Sequence, residues 1–184
     1  VKAAKELVTR LLARKVDSAY VAMAVEELGE GVKYQFNENY DPYTAGSPDA
    51  IVNDDPSKLD EKGYGNPDVT GPDSSHGTHV SGIIAANRYN NLGVLGQAAN
   101  VKIMPIRAVP NGDERDKDVA NAIYFAVYHG AKVINMSFGK AYSPQKSYVD
   151  QAMAYAASKG VILVHAAGND GKNTESGTNN FPNK

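Results

Sequence analysis

Between Val101 and Gly168 the sequence changes its hydrophobic period repeatedly, and that alternation limits the architectures open to it. The apolar run VKIMPIRAV is followed by a helix-period segment, then VINMS, a second helix-period segment, and VILVHAAG. In the first helical segment Val119, Ala122, Ile123, Ala126 and Val127 share one face. In the second, Val149, Ala152, Met153, Ala156 and Ala157 repeat the spacing. Gly130 and Gly160 follow these faces, where a left-handed residue ends a helix at least cost. The region therefore reads as β-α-β-α-β. Its strands are apolar nearly throughout, which predicts an α/β fold with a parallel sheet covered on both faces and right-handed crossovers. In such sheets binding and catalytic loops lie at the carboxyl ends of the strands.

At 184 residues and 42% hydrophobic content, one domain with a real core is expected. A net charge of -2 supplies no electrostatic footprint for DNA or RNA, so nucleic acid is not an expected partner. The absence of cysteine excludes disulfides and thiolate zinc sites while leaving the compartment open. No apolar run is long enough to span a membrane, and the opening VKAAKELVTR lacks the apolar centre of a signal peptide. The missing initial Met points to a fragment or processed product. Residues 1–31, rich in Ala, Leu, Lys and Glu, read as a helical segment with a packing role. Residues 32–75 read mostly as loop, with a short strand at VKYQF.

The chemistry concentrates in GPDSSHGTHVSG, residues 71–82. A helix starting here would be capped by Ser74 or Ser75, place His76 in its first turn, and bury Val80, Ile83 and Ile84. The positive end of the helix dipole favours a neutral imidazole, the form that accepts a proton from a hydroxyl. Glycines at 77 and 82 inside that helix predict a close approach by another group. A structural histidine is the plain alternative. A metal held by His76 and His79 would need further protein ligands, and no HExxH arrangement supplies them.

HGTHVSG at 76–82 resembles the histidine motif of the subtilisin-like serine proteases, the subtilases. The resemblance implies that His76 is the general base and His79 structural. VINMSFG, residues 133–139, resembles the strand that pairs with an extended peptide substrate, so Ser137, Phe138 and Gly139 would line the cleft. AAGNDG, residues 166–171, resembles the segment carrying the oxyanion-hole asparagine, which falls on Asn169, with Gly168 in the substrate-binding wall. Taken alone, Asn169 is a turn residue and Ser137 a strand end.

The implied fold is a doubly wound three-layer α/β/α domain with a mainly parallel sheet. Residues 1–31 would be a helical insertion, and 32–184 a partial catalytic domain. The implied activity is peptide-bond hydrolysis through an Asp-His-Ser triad. The family's aspartate segment, a buried strand ending in Asp with a glycine after it, has no counterpart before His76. Asp54 and Asp55 in IVNDDP lack the glycine, and Asp73 is too near His76. The serine segment is also not found after Asn169, so the isolated chain is expected to be nearly inert. A peptide-binding pseudoprotease and an unrelated doubly wound binding domain are the competing readings.

The substrate is expected to be a peptide or protein bound as an added strand with broad side-chain tolerance. PNGDERDKD, residues 110–118, would form the opposite wall of the cleft. Asp113, Glu114, Asp116 and Asp118 favour a basic substrate residue in one reading; interleaved with Arg115 and Lys117 they form a solvated charged loop in the other. The chemistry requires no cofactor. Family habit suggests structural calcium, for which NDDPSKLDE at 53–61 offers oxygen donors without matching an EF-hand. A phosphate loop at GNDGKNTESG is excluded, because Lys172 is followed by Asn173 and the spacing from Gly168 is wrong. Family habit also implies a secreted or cell-envelope protein.

Overall fold

The computed structural model describes residues 52–55, 57–71, 73–109, 114–169, 171, 173, 181 and 182. The expected helical segment at 1–31 and the strand at VKYQF lie outside them. Five elements follow in chain order: α1 (Ser75–Ala85), α2 (Asp116–Tyr128), β1 (Val133–Met136), α3 (Lys146–Ser158) and β2 (Ile162–His165). From α2 onward the order is the one the periodicity predicts.

β1 and β2 pair in parallel, with Val133 opposite Ile162 and Met136 opposite His165. The core lies on one face of this pair. Val119, Ala120 and Ile123 of α2 meet Val149, Ala152 and Ala156 of α3 over Met136 and Val161, with Ile134 and Leu163 packed against them. Fully burying a side chain such as Ile123 or Met136 contributes roughly 1.5–3 kcal/mol. The small residues Ala120, Ala152 and Ala156, each fully buried, let the two helices approach closely. Of the faces read from sequence, Ala122, Val127 and Met153 are half-buried and Ala157 is exposed, so each seam is narrower than the apolar stripe. Both helices end as expected: Gly130 (φ 84) bonds back to Val127 O at 3.1 Å and Gly160 (φ 74) to Ala157 O at 2.9 Å.

Four expectations are not met among the described residues. The run at 101–109 forms no strand among the described residues. A strand exists through a partner ladder, no described segment pairs with this one, and Pro105 removes one of its donors. The sheet is covered on one face only among the described residues. Val133, Ile162 and Val164 point away from α2 and α3 and remain exposed, so the second helical layer of a three-layer fold is not among them. α1 buries no residue fully: Val80 and Ile84 are half-buried and Ile83 is exposed. No described atom crowds Gly77 or Gly82; the close approach is made by Gly96, where a Cβ would overlap the backbone of Ala85 and Ala86. Residues 96–98 thereby donate to the last carbonyls of α1, Gln97 N to Ile83 O at 3.0 Å and Ala98 N to Ile84 O at 2.8 Å.

Candidate active site

α1 begins at Ser75 with Ser74 as its cap residue, but neither serine closes the helix by its side chain. Asp73 does so, its Oδ1 accepting from Ser75 N at 2.8 Å. Hydrogen bonds from the Ser75 backbone and hydroxyl hold the Asp73 carboxyl below the usual carboxylate range. The loop ahead is also fixed. Asp68 accepts from Thr70 Oγ1 at 2.7 Å and from the amides of Thr70 and Gly71, and those bonds keep its carboxyl low as well. Arg107 donates from Nη1 to Thr70 O at 2.6 Å and Asp73 O at 2.9 Å. It closes on Gly71 (φ 54), where a Cβ would overlap the guanidinium. His76 therefore starts from a helix end held on two sides, and its ring is exposed.

The other signature segments leave the sheet side by side. Met136 and His165 are the last paired residues, and Ala166 N donates to Met136 O at 3.2 Å. Ser137, Phe138 and Gly139 thus follow β1 at the same carboxyl edge from which residues 166–169 follow β2. Ser137 Oγ accepts from Asn135 Nδ2 at 2.8 Å. Gly168 takes the left-handed region (φ 85) and Asn169 is exposed beyond it. Among the described residues no hydrogen bond or ring contact joins His76 to either loop. The structure thus brings five of the six sequence-derived site residues to one sheet edge and sets His76 on a separate helix.

The described part of the charged loop, residues 114–118, is not solvated. Glu114, Asp116 and Lys117 are buried, and Asp113 lies outside the described residues. Lys117 pairs with Asp54, donates to Glu61 Oε2 at 2.9 Å and bonds Asp55 O at 2.7 Å. Burial works against its charge, but the hydrogen bonds to Asp54 and Glu61 prevail and raise its pKa. Arg115 reaches Asp54 Oδ2 at 3.5 Å. Asp118 accepts from the Tyr64 hydroxyl at 2.6 Å, and Asn121 donates to that hydroxyl at 2.9 Å. Burial raises the pKa of Asp118, and burial together with that hydrogen bond raises that of Tyr64. The first turns of α2 are thereby strapped to residues 54–64. The isolated sequence hid this because each partner lies far along the chain.

Asp54 and Asp55, weighed above as triad aspartates, are committed elsewhere: Asp54 to Lys117 and Arg115, Asp55 to Ser57 and Lys58. Those contacts, led by the Ser57 hydroxyl, lower Asp55 to a pKa of about 2. Of the oxygen donors at 53–61, Asp54 and Glu61 both pair with the Lys117 ammonium. Among the described residues no group of three or more His, Cys, Asp or Glu is placed to hold a metal.

Sequence reasoning also passed over Lys140 and His165. Lys140 Nζ bonds Asp116 Oδ1 at 2.9 Å and Glu114 O at 2.6 Å. His165 Nε2 bonds Phe138 O at 2.7 Å. A signal for His165 existed: it continues the core-facing alternation of Val161 and Leu163, where a polar side chain needs a partner.

The family model described as the subtilase family matches residues 26–183. A thermophilic serine proteinase of Bacillus sp. (strain AK1) is 42% identical over 102 residues, covering 55% of this chain and 25% of that protein. Thermitase of Thermoactinomyces vulgaris is 41% identical over 99 residues, covering 53% of this chain and 35% of that protein. C5a peptidase of Streptococcus pyogenes serotype M1 is 39% identical over 117 residues, covering 58% of this chain and 10% of that protein. The chain spans little more than a third, at most, of the length of these relatives.

Proposed function

This chain belongs to the subtilase family, and on that premise we propose that the protein carrying it is a serine endopeptidase. His76 is the general base that takes the proton of the attacking serine and later returns it to the leaving amine. The Asn169 side-chain amide donates to the developing oxyanion. Ser137, Phe138, Gly139 and Gly168 line the cleft in which an extended peptide lies. The aspartate and serine of the triad are not assigned to residues of this chain.

The observation that supports this reading best is the parallel pairing of β1 and β2. It delivers the peptide-pairing segment and the asparagine loop to one carboxyl edge, where an α/β sheet presents its chemistry. The named relatives are described as proteinases or peptidases, in line with protein substrates. No described helix is long and apolar enough to cross a membrane. On family grounds we read the protein as secreted or held at the cell envelope.

The test is fluorophosphonate labelling of the full-length gene product beside a His76→Ala variant and the 184-residue chain. Labelling of the full-length protein alone, abolished by the substitution, is expected. A folded full-length protein that never labels overturns the endopeptidase reading in favour of a pseudoprotease that binds peptides without cutting them.

A further inference from the structure

We propose that His165 and Lys140 are positioning residues that hold the peptide-pairing segment from behind and leave its opposite edge open for substrate. The inference rests on the cleft assignment above and adds residues which that assignment does not contain.

Between Met136 and Lys140 the backbone is held at alternate residues. Met136 O accepts from Ala166 N at 3.2 Å, and Phe138 O accepts from His165 Nε2 at 2.7 Å. Lys140 exchanges both of its backbone bonds with Phe181, donating at 3.2 Å and accepting at 2.9 Å. Every second residue is thus engaged by the protein. Ser137 and Gly139, between them, make no backbone-to-backbone bond among the described residues. In extended chain successive carbonyls point to opposite sides. With the segment extended, engagement of 136, 138 and 140 turns the polar groups of 137 and 139 toward an edge where no described backbone group bonds them, the template an added strand requires.

The two side chains secure this arrangement at different points. A carbonyl only accepts, so His165 must carry its proton on Nε2 toward Phe138. Its ring also meets the Phe138 ring edge-on, with centroids 6.4 Å apart. His165 closes β2 four positions before Asn169, so one residue couples the substrate edge to the asparagine loop. Lys140 lies directly after Gly139, and its side chain is 6% exposed. Its ammonium reaches Asp116, which is 3% exposed in the first turn of α2. Asp116 is fixed in turn by Ser143 Oγ and Gln145 N, each at 2.7 Å. Lys140 thereby references the segment to the start of α2 and to the turn before α3.

Four variants of the full-length protein test the proposal: His165→Ala, His165→Gln, Lys140→Met and Lys140→Arg. Each is assayed on a hexapeptide that fills the edge and on a single-residue ester that does not. The kcat/KM ratio of hexapeptide to ester should fall about tenfold in His165→Ala and Lys140→Met, chiefly through KM, because a small displacement of a positioning edge is costly. His165→Gln and Lys140→Arg, which keep a donor or a charge, should recover most of that ratio. An unchanged ratio, or an equal fall in the conservative variants, overturns the proposal. If Lys140→Met fails to fold by thermal unfolding, the His165 pair decides. If the unmodified protein cleaves neither substrate, the endopeptidase reading fails and binding of a labelled hexapeptide decides the positioning role. About tenfold weaker binding in His165→Ala supports it, and equal binding or none overturns it.

Discussion

Replacing Lys117 with methionine preserves the reach of the side chain and removes its charge, leaving the Asp54 carboxylate, 2% exposed, without its closest cation. Arg115, at 3.5 Å from the other carboxylate oxygen, keeps a longer ion pair with it, which holds the loss toward the lower end of the range for a broken buried pair. Breaking a buried pair from one side costs about 3–5 kcal/mol, because the remaining charge keeps its desolvation penalty and loses its compensation. In a domain of about 150–250 residues that lowers Tm by roughly 6–20 °C. Urea unfolding of the purified protein measures the loss directly. The companion variant Lys117→Met with Asp54→Leu removes both charges and should recover at least half of it, since apolar side chains of similar volume are often neutral in place of a buried pair. A single-variant loss under about 1 kcal/mol would place the pair in the weak class of exposed ion pairs. A double variant as unstable as the sum of its singles would show no coupling. Either result refutes the strap as an anchor of α2.

Two further outcomes concern pH. Asp118 has its pKa raised in the fold, chiefly by burial. Its ionised form is therefore disfavoured there, and its unfavourable contribution grows as pH rises through the folded value. Asp118→Asn, which still accepts from Tyr64, should gain stability relative to the unmodified protein as pH rises toward neutrality; parallel urea-unfolding curves across pH would contradict this. Asp73 has its pKa lowered by the Ser75 bonds, so its contribution is present above the ordinary carboxylate range and is lost as pH falls through the folded value. Asp73→Ala should lower Tm at neutral pH, with the difference closing on acidification; a difference independent of pH would assign the effect to something other than the carboxylate.

The helices and the strands between them were legible because their information is local. The α2 and α3 faces and the stops at Gly130 and Gly160 follow from period and backbone freedom, which need no distant partner. The same holds for the placement of Ser137 and Asn169 just beyond apolar runs, and for His76 in a first helical turn. What sequence could not decide depends on which segments meet. The run at 101–109 has a strand's composition, yet a strand also requires a ladder. DERDKD reads as a solvated loop until Asp54, distant by 63 residues, arrives to pair with Lys117. Asp73 rather than a serine closes α1, because Arg107 draws in the preceding loop from 34 residues away. His165 and Lys140 looked unremarkable as residue types; they acquire a role when parallel pairing sets β2 beside β1 and the start of α2 offers Asp116. Periodicity is a property of neighbours along the chain, whereas burial and pairing of a charge belong to neighbours in space, and only the tertiary structure supplies those.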